Sequence, residues 1–330
     1  MPELPCEAKA VTLTSFQDSL PVDDIYCMDA TDFLDHIAPD RLDLVITSPP
    51  YSNVKADATY MKKGVYTHIE PEKYVEWFDP IGRSIYKALS PTGSFILNID
   101  TFVEDGEMNL YIWDLLLHLT RQVGFKLLMD YAWIKPTVMP GGNAARYTRP
   151  RRGFEYLWHF GKTSKVKADT RPILMKYSQG TMDQMADVAR RQTHDFRITP
   201  SGHNWDVDRM CKDRGGATPL NYLVASFNDA TAEHMLKWKA MGLDIHPARY
   251  PEDLVAFFVD MLTKPGDLVC DPFSGSGTTA AVCRKLERHY ICGDVAPEYV
   301  RAAKIRVSTV KQIIHQSKAT WKTFDEFESP

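Results

Sequence analysis

No stretch of this sequence approaches the roughly 20 consecutive apolar residues that a bilayer span requires. The opening Met-Pro-Glu-Leu-Pro-Cys-Glu holds no basic segment followed by an apolar core, so no secretory signal is expected. Cysteine is sparse and scattered. Cys6, Cys27, Cys211, Cys270, Cys283 and Cys292 form no CxxC pair and have no histidine at ligand spacing, which argues against bound metal and against a disulfide framework. Reduced thiols in a soluble cytoplasmic protein are the expectation. Internal repeats and low-complexity tracts are absent too, which removes solenoid and linker-like classes. Nor is there an excess of positive charge. With 39 Lys and Arg against 43 Asp and Glu, the formal charge is −4, which as a mean speaks against nucleic acid as a partner.

What is present is a globular composition, 44% hydrophobic and 25% charged, over 330 residues. At ~150 residues per domain, that length allows about two units. The first half alternates strand and helix patterns. Residues 43–48 form a short apolar strand that Pro49-Pro50 must stop, because proline has no amide hydrogen to give a ladder. Tyr74, Trp77, Phe78, Ile81, Ile85 and Leu89 recur at helical spacing through 71–89. A turn is predicted at Ser90-Pro91-Thr92-Gly93, a buried strand at 94–99, a helix over 109–123, and strands at 125–134 and 154–160. Residues 161–245 break the rhythm, being polar and irregular. It resumes with a helix opening at Pro251, a strand at 268–271, a glycine-rich turn, a helix and a strand at 290–293. Such alternation predicts an α/β fold, a doubly wound and mostly parallel sheet with helices on both faces.

Two segments carry chemistry. Asp271-Pro272-Phe273-Ser274-Gly275-Ser276-Gly277-Thr278-Thr279 lies between a strand and a helix, where glycine permits positive φ and lets a ligand approach bare backbone. The helix behind it offers unpaired amides to an anion. The full GxGxxG spacing and the GK[ST] ending are both missing, so a carboxylate fits as well as a phosphate. Asp294 follows Gly277 by seventeen residues and ends the next strand, the place from which an acid accepts ribose hydroxyls in Rossmann-type sites. The second segment is Thr47-Ser48-Pro49-Pro50-Tyr51: a hydroxyl, carbonyls on a rigid bracket, and an aromatic ring. That set suits a planar base bearing an exocyclic amine, which hydrogen-bonds while its ring stacks on Tyr51.

Together the segments resemble the S-adenosylmethionine-dependent amino-methyltransferases of DNA, in their permuted class β. There the [S/D/N]PP[Y/F] motif comes first, then a variable target-recognition region, then the FxGxG loop. Here Ser48-Pro49-Pro50-Tyr51 precedes Phe273-Ser274-Gly275-Ser276-Gly277 by more than 220 residues. Cys27-Met28-Asp29, Trp133-Ile134-Lys135-Pro136, the arginines at 149–152, Glu155 and His246-Pro247-Ala248-Arg249-Tyr250-Pro251 resemble further blocks of that family. One departure is Ser52, which intervenes before Asn53 where many relatives carry Asn directly after the aromatic.

The resemblance implies a Rossmann-like methyltransferase sheet in three parts: a catalytic half at 1–160, a target-recognition region at 161–245 and a cofactor-binding half at 246–330. It implies Ser48, Pro49, Pro50 and Tyr51 as catalytic residues. Asp29, Asp271, Phe273, Gly275, Gly277, Thr278, Thr279 and Asp294 would hold S-adenosyl-L-methionine. Its carboxylate would lie on the Gly275–Thr278 turn, its ribose on Asp294 and its adenine near Asp29. The implied substrate is a cytosine N4 amine flipped out of double-stranded DNA, since serine before the prolines goes mostly with cytosine in this family. Adenine N6 is the alternative, and a nucleotide-dependent oxidoreductase or an inactive DNA-binding module are rivals of other classes. The resemblance also admits a cognate restriction endonuclease as a companion. The strands ending at Ser48 and Asp271 should be neighbours, with their carboxyl ends at the switch point where ligands bind.

The mean charge also conceals a gradient. From Lys135 to Arg214 there are 16 Lys and Arg against 8 Asp and Glu, so the rest of the chain is markedly acidic. Arg149, Arg151, Arg152, Lys162, Lys165 and Lys167 read as a phosphate-contacting stripe. Tyr177, Gln179, Gln192, Asn204 and Trp205 are candidates for groove contacts.

Overall fold

A computed structural model describes residues 20–52, 69–136, 150–190, 196–198, 204–206, 212–226, 238, 240–242 and 250–310. The strands, in chain order, are β1 (Asp24–Cys27), β2 (Leu42–Thr47), β3 (Leu89–Ile99), a small hairpin of β4 (Val103–Glu104) and β5 (Glu107–Met108), β6 (Lys126–Ile134), β7 (Phe154–Gly161), a second hairpin of β8 (Phe196–Ile198) and β9 (Asn204–Asp206), β10 (Tyr222–Val224), β11 (Leu268–Asp271) and β12 (His289–Asp294). The helices are α1 (Ala30–Asp35), α2 (Tyr74–Ala88), α3 (Tyr111–His118), α4 (Gln179–Arg190), α5 (Glu252–Leu262), α6 (Thr278–Lys285) and α7 (Pro297–Thr309).

Eight strands form one sheet in the order β1-β12-β11-β2-β3-β7-β6-β10. Only β7 runs against the others, pairing antiparallel with both β3 and β6. Both faces are apolar because both are covered. Val45, Phe95, Leu97, Cys270 and Ile291 point into one core with Phe33, Phe78, Ile85, Tyr111 and Leu115 of α1, α2 and α3. Their neighbours Leu44, Ile46, Ile96, Val269 and Cys292 point into the other, with Phe258, Ala281, Val300 and Ala303 of α5, α6 and α7. This period-two split of continuous apolar runs is what a doubly wound sheet demands.

Two local readings are corrected. Ser90-Pro91-Thr92-Gly93 is not a turn between helix and strand but part of β3. The ladder jumps from Leu42↔Leu89 to Leu44↔Ser94, so the extra residues are absorbed as an irregularity opposite β2. The 109–123 helix is α-helical only to His118 and continues as a π-helical turn, Leu119–Val123, closed by Gly124 at φ +106°. Residues 161–245 also contribute to the main sheet, since β10 adds to its edge beside β6.

The feature that places the site is the β2–β11 pair. They are parallel neighbours (Val269↔Leu44, Cys270↔Val45) although more than 220 residues separate them in sequence. From β2 the chain crosses by α2 on one face to β3. From β11 it crosses by α6 on the other face to β12, in the opposite direction. A crevice therefore opens beyond their carboxyl ends, where helices diverge to either side.

Candidate active site

At that crevice the two signature segments meet. Thr47, the last residue of β2, donates its hydroxyl to Asp271 Oδ1 at the end of β11, at 2.6 Å. Asp271 is fully buried and also accepts from Thr279 Oγ1 at 2.6 Å, Tyr250 Oη at 2.5 Å and the Phe273 amide at 3.1 Å. Burial raises its pKa against the pull of these donors. With its oxygens so engaged, Asp271 acts as the hub that pins the glycine loop to the strand carrying Ser48.

The loop itself is shaped by backbone. Gly275 and Gly277 have φ of +48° and +73°, the left-handed region that glycine enters without cost. A Cβ at Gly277 would stand 2.7 Å from Ala303 Cβ on α7. Asp294 closes the loop from above, its carboxylate accepting from the Gly275 amide at 2.8 Å and the Ala296 amide at 2.9 Å. Burial pushes Asp294 up to about 6, opposed by those two amides. The hydroxyl of Ser274 is buried and has no hydrogen-bond partner among the described residues. Thr278 and Thr279 begin α6, both buried.

Beside the loop lies an open cleft of about 550 Å³ lined by Asp29, Thr31, Lys73, Glu76, Trp77, Pro80 and Phe273. Phe273 packs on Trp77 with ring centroids 5.9 Å apart, giving one wall an aromatic face. Asp29 caps α1 by accepting from the Thr31 amide at 2.9 Å and remains exposed. Pro80 sits inside α2 and has no amide hydrogen, so the Glu76 carbonyl, four residues earlier, lacks its helical donor there.

On the β2 side, Pro50 is held by Tyr74, whose hydroxyl donates to its carbonyl at 2.8 Å. Tyr51 turns inward. Its Oη lies 3.2 Å from Ser48 Oγ, 3.2 Å from Asn98 Oδ1 and 2.8 Å from Glu155 Oε2. Glu155 in turn takes an ion pair from Lys135 and a hydrogen bond from Asn98 Nδ2 at 3.2 Å. Burial and the Glu155 charge hold the Tyr51 phenol well above its usual pKa, so it keeps its proton. Next to this group Arg152 pairs with Asp100, whose carboxyl is pushed up by burial.

A family model described as DNA methylase matches residues 42–305, which contain both segments and the sheet between them. The chain belongs to the DNA methylase family. Among curated relatives of this DNA methylase, the Type II methyltransferase M.PvuII of Proteus hauseri is 32% identical over 288 residues, covering 86% of this chain and 82% of that one. The Type II methyltransferase M.BglII of Bacillus subtilis is 27% identical over 281 residues, 84% of this chain and 67% of that one. Among solved structures, the PvuII DNA methyltransferase, described as cytosine-N4-specific, superposes with a TM-score of 0.66 at 27% identity over 87% of both chains. A Thermus thermophilus protein solved in complex with S-adenosyl-L-methionine shares the fold at a TM-score of 0.52 and 19% identity, covering 86% of this chain and 93% of that one.

Within this methylase the expected site residues fall into groups. Ser48, Pro49, Pro50 and Tyr51 stand at one lip of the crevice; Phe273, Gly275, Gly277, Thr278, Thr279 and Asp294 at the other, with Asp29 on the cleft wall. The basic stripe does not assemble. Arg151 and Arg152 precede β7 and Lys162, Lys165 and Lys167 follow it, so a strand of eight residues, ~25 Å at 3.3 Å each, keeps them apart. Because β7 runs antiparallel, the lysines emerge at the opposite end of the sheet. There Lys162 pairs with Asp40, and Lys167 with Asp43 and Asp267. Arg149, Gln192, Asn53 and His246–Arg249 lie outside the described residues.

Sequence reading assigned no role to Asn98, Tyr250 or Arg306. Asn98 carried a signal, a lone amide within the apolar run Ser-Phe-Ile-Leu-Asn-Ile. Arg306 carried none. It reaches from α7 under the glycine loop, donating to Thr278 Oγ1 at 3.0 Å and the Ser276 carbonyl at 3.3 Å, and pairs with Glu252 Oε1 at 2.6 Å.

Proposed function

We propose that this chain transfers a methyl group from S-adenosyl-L-methionine to the exocyclic N4 amine of a cytosine flipped out of double-stranded DNA, at a fixed recognition sequence. The observation that carries the reading is the Thr47–Asp271 bond, which holds the Ser-Pro-Pro-Tyr bracket and the glycine loop at adjoining strand ends. The choice of cytosine over adenine rests on serine before the prolines and on the cytosine-N4 description of the PvuII relative. Sequence-specific methylation protects a site from an endonuclease that cuts there, which fits the Type II description of both curated relatives.

The residues present fit the cofactor. The cleft volume suits a small molecule. Asp294 offers acceptors for ribose hydroxyls, the Phe273–Trp77 wall faces a flat ring, and the unpartnered Ser274 hydroxyl and loop backbone suit an amino-acid tail. When bound, the cofactor supplies an electrophilic methyl group on a sulfonium. Ser48 Oγ and the Pro49 carbonyl accept the two amine hydrogens, drawing the nitrogen towards tetrahedral geometry and freeing its lone pair from the ring. Alkylation makes that nitrogen acidic, so no strong base is required before attack. Rate enhancement comes from proximity and from acceptors fixed before reaction. The target nitrogen is unreachable in stacked DNA, so the base must leave the duplex at a cost of a few kcal/mol. We read residues 161–245 as the target-recognition region, with Arg151, at the site end of β7, among the phosphate contacts.

The deciding experiment is long-read sequencing of DNA from cells expressing the chain, which reports the modified base and its context together. Modified cytosine at one motif supports the reading. Modified adenine would move it to N6, and unmodified DNA under verified expression would refute it. In Ser48→Ala, transfer should vanish while calorimetry still shows cofactor binding; near-normal turnover would remove Ser48 from its role.

A further inference from the structure

The hydrogen bonds around Tyr51 have a direction, and the direction reaches Ser48. Among the described residues, three oxygens surround the Tyr51 hydroxyl: Glu155 Oε2 at 2.8 Å, Asn98 Oδ1 at 3.2 Å and Ser48 Oγ at 3.2 Å. Tyr51 has one proton to give. Asn98 cannot turn its amide over, because its Nδ2 donates both to Glu155 Oε2 at 3.2 Å and to the Tyr156 carbonyl at 3.1 Å. Its Oδ1 therefore faces Tyr51 strictly as an acceptor. Glu155, ion-paired with Lys135 through Oε1, is likewise acceptor only. The Tyr51 proton must point at this pair, and the oxygen then has only lone pairs to offer Ser48.

We propose that Glu155, with Asn98 and Lys135, polarises Tyr51 so that the Ser48 hydroxyl is compelled to donate to Tyr51 and to present its own lone pairs to the substrate amine. Glu155, Asn98 and Lys135 are thus positioning residues: they act on the amine through Tyr51 and Ser48. A serine hydroxyl rotates freely and can as readily aim its hydrogen at an incoming N–H, which would repel it. Here that wrong rotamer is removed before substrate arrives. The placement is costly, since Glu155 is a buried carboxylate at the end of an aromatic-rich strand and Lys135 is drawn in to meet it. The proposal rests on the methyl-transfer reading given above and names the device that makes its serine an acceptor.

The isosteric variant Glu155→Gln removes the stronger acceptor. Its amide oxygen stays on Lys135, so its nitrogen faces Tyr51 and Asn98 Nδ2, and the Tyr51 proton is left to divide between Asn98 Oδ1 and Ser48 Oγ, both at 3.2 Å. Transfer of labelled methyl groups should then fall in kcat by about tenfold, part of the ~100-fold scale of losing one preorganised polar contact. DNA KM and cofactor affinity should stay within about threefold. Placed on a Tyr51→Phe background, Glu155→Gln should have little further effect, because the link is gone. An equal loss on both backgrounds would show a merely structural Glu155 and overturn the proposal, as would wild-type kcat in Glu155→Gln. Neutron diffraction of the wild-type protein gives a readout free of activity. Deuterium on Tyr51 Oη should point to Glu155 or Asn98, and that on Ser48 Oγ to Tyr51; a Tyr51 deuteron aimed at Ser48 would refute the polarity. If the wild-type protein methylates no DNA, the functional reading fails instead, and the neutron result still decides the hydrogen-bond direction.

Discussion

Gly277→Ala tests the glycine loop with the fewest assumptions, since one methyl group meets two separable obstacles. The first is backbone: at φ +73° a left-handed alanine costs roughly 1–2 kcal/mol relative to its ordinary conformations. The second is space. The new Cβ would stand 2.7 Å from Ala303 Cβ and 3.1 Å from Ala303 Cα, and Ala303 is fully buried in α7. Neither neighbour is the end of a flexible side chain, so helix or loop must shift, at about 1–3 kcal/mol for an overpacked core. A loss near 2–5 kcal/mol in guanidinium unfolding is expected. Because Gly277 caps α6 and shapes the loop, calorimetry should also show cofactor affinity falling about tenfold or more. Ala303→Gly separates the obstacles. Alone it costs ~1 kcal/mol as a mid-helix glycine; combined with Gly277→Ala it should restore the steric share and leave the φ share. A coupling energy of about 1–3 kcal/mol is therefore expected. Strict additivity, or a Gly277→Ala loss below ~0.5 kcal/mol, would show that the loop does not press on α7 as described.

Arg306→Met should lower stability by about 2–3 kcal/mol, less than the full cost of breaking a buried pair because Glu252 keeps Lys285 and is 30% exposed. It should also weaken cofactor binding through the unsupported loop; unchanged affinity would confine Arg306 to folding. Asp294 gives a pH dependence. Its pKa near 6 lies above the unfolded value of about 3.9, so its contribution to stability is complete below about pH 4 and is lost as pH rises through 6. On the proposed ribose contact cofactor binding runs the other way, since the ionised carboxylate is the stronger acceptor for hydroxyls: affinity should rise up to about tenfold from pH 5 to 7, and Asp294→Asn should flatten that profile. Finally, Arg151→Ala should reduce DNA affinity and the salt slope by about one unit, whereas Lys162→Ala, at the far end of the sheet and paired with Asp40, should change neither. Equal effects in filter binding would restore the single stripe.

The chemistry-bearing segments were legible because they are local. Pro49-Pro50 must end a strand, Gly275 and Gly277 must bend one, and the apolar runs on either side must be buried strands whatever surrounds them. From these alone come the sheet class and its mostly parallel sense; the juxtaposition of β2 with β11 was an expectation of the resemblance to the permuted methyltransferases, and the fold bears it out. The turn assigned to Ser90–Gly93 failed because an irregularity in a ladder is set by the partner strand. What tertiary structure decided is which polar groups face each other. The positive charge counted between Lys135 and Arg214 was real, but antiparallel β7 carries its lysines to the wrong end of the sheet. Tyr51, read as a stacking face, also has its hydroxyl seized by Glu155 and Asn98 from two other strands. Backbone propensity acts over a few residues and can be read in order. Hydrogen-bond direction and ion pairing act across space, and only the folded chain brings those partners within reach.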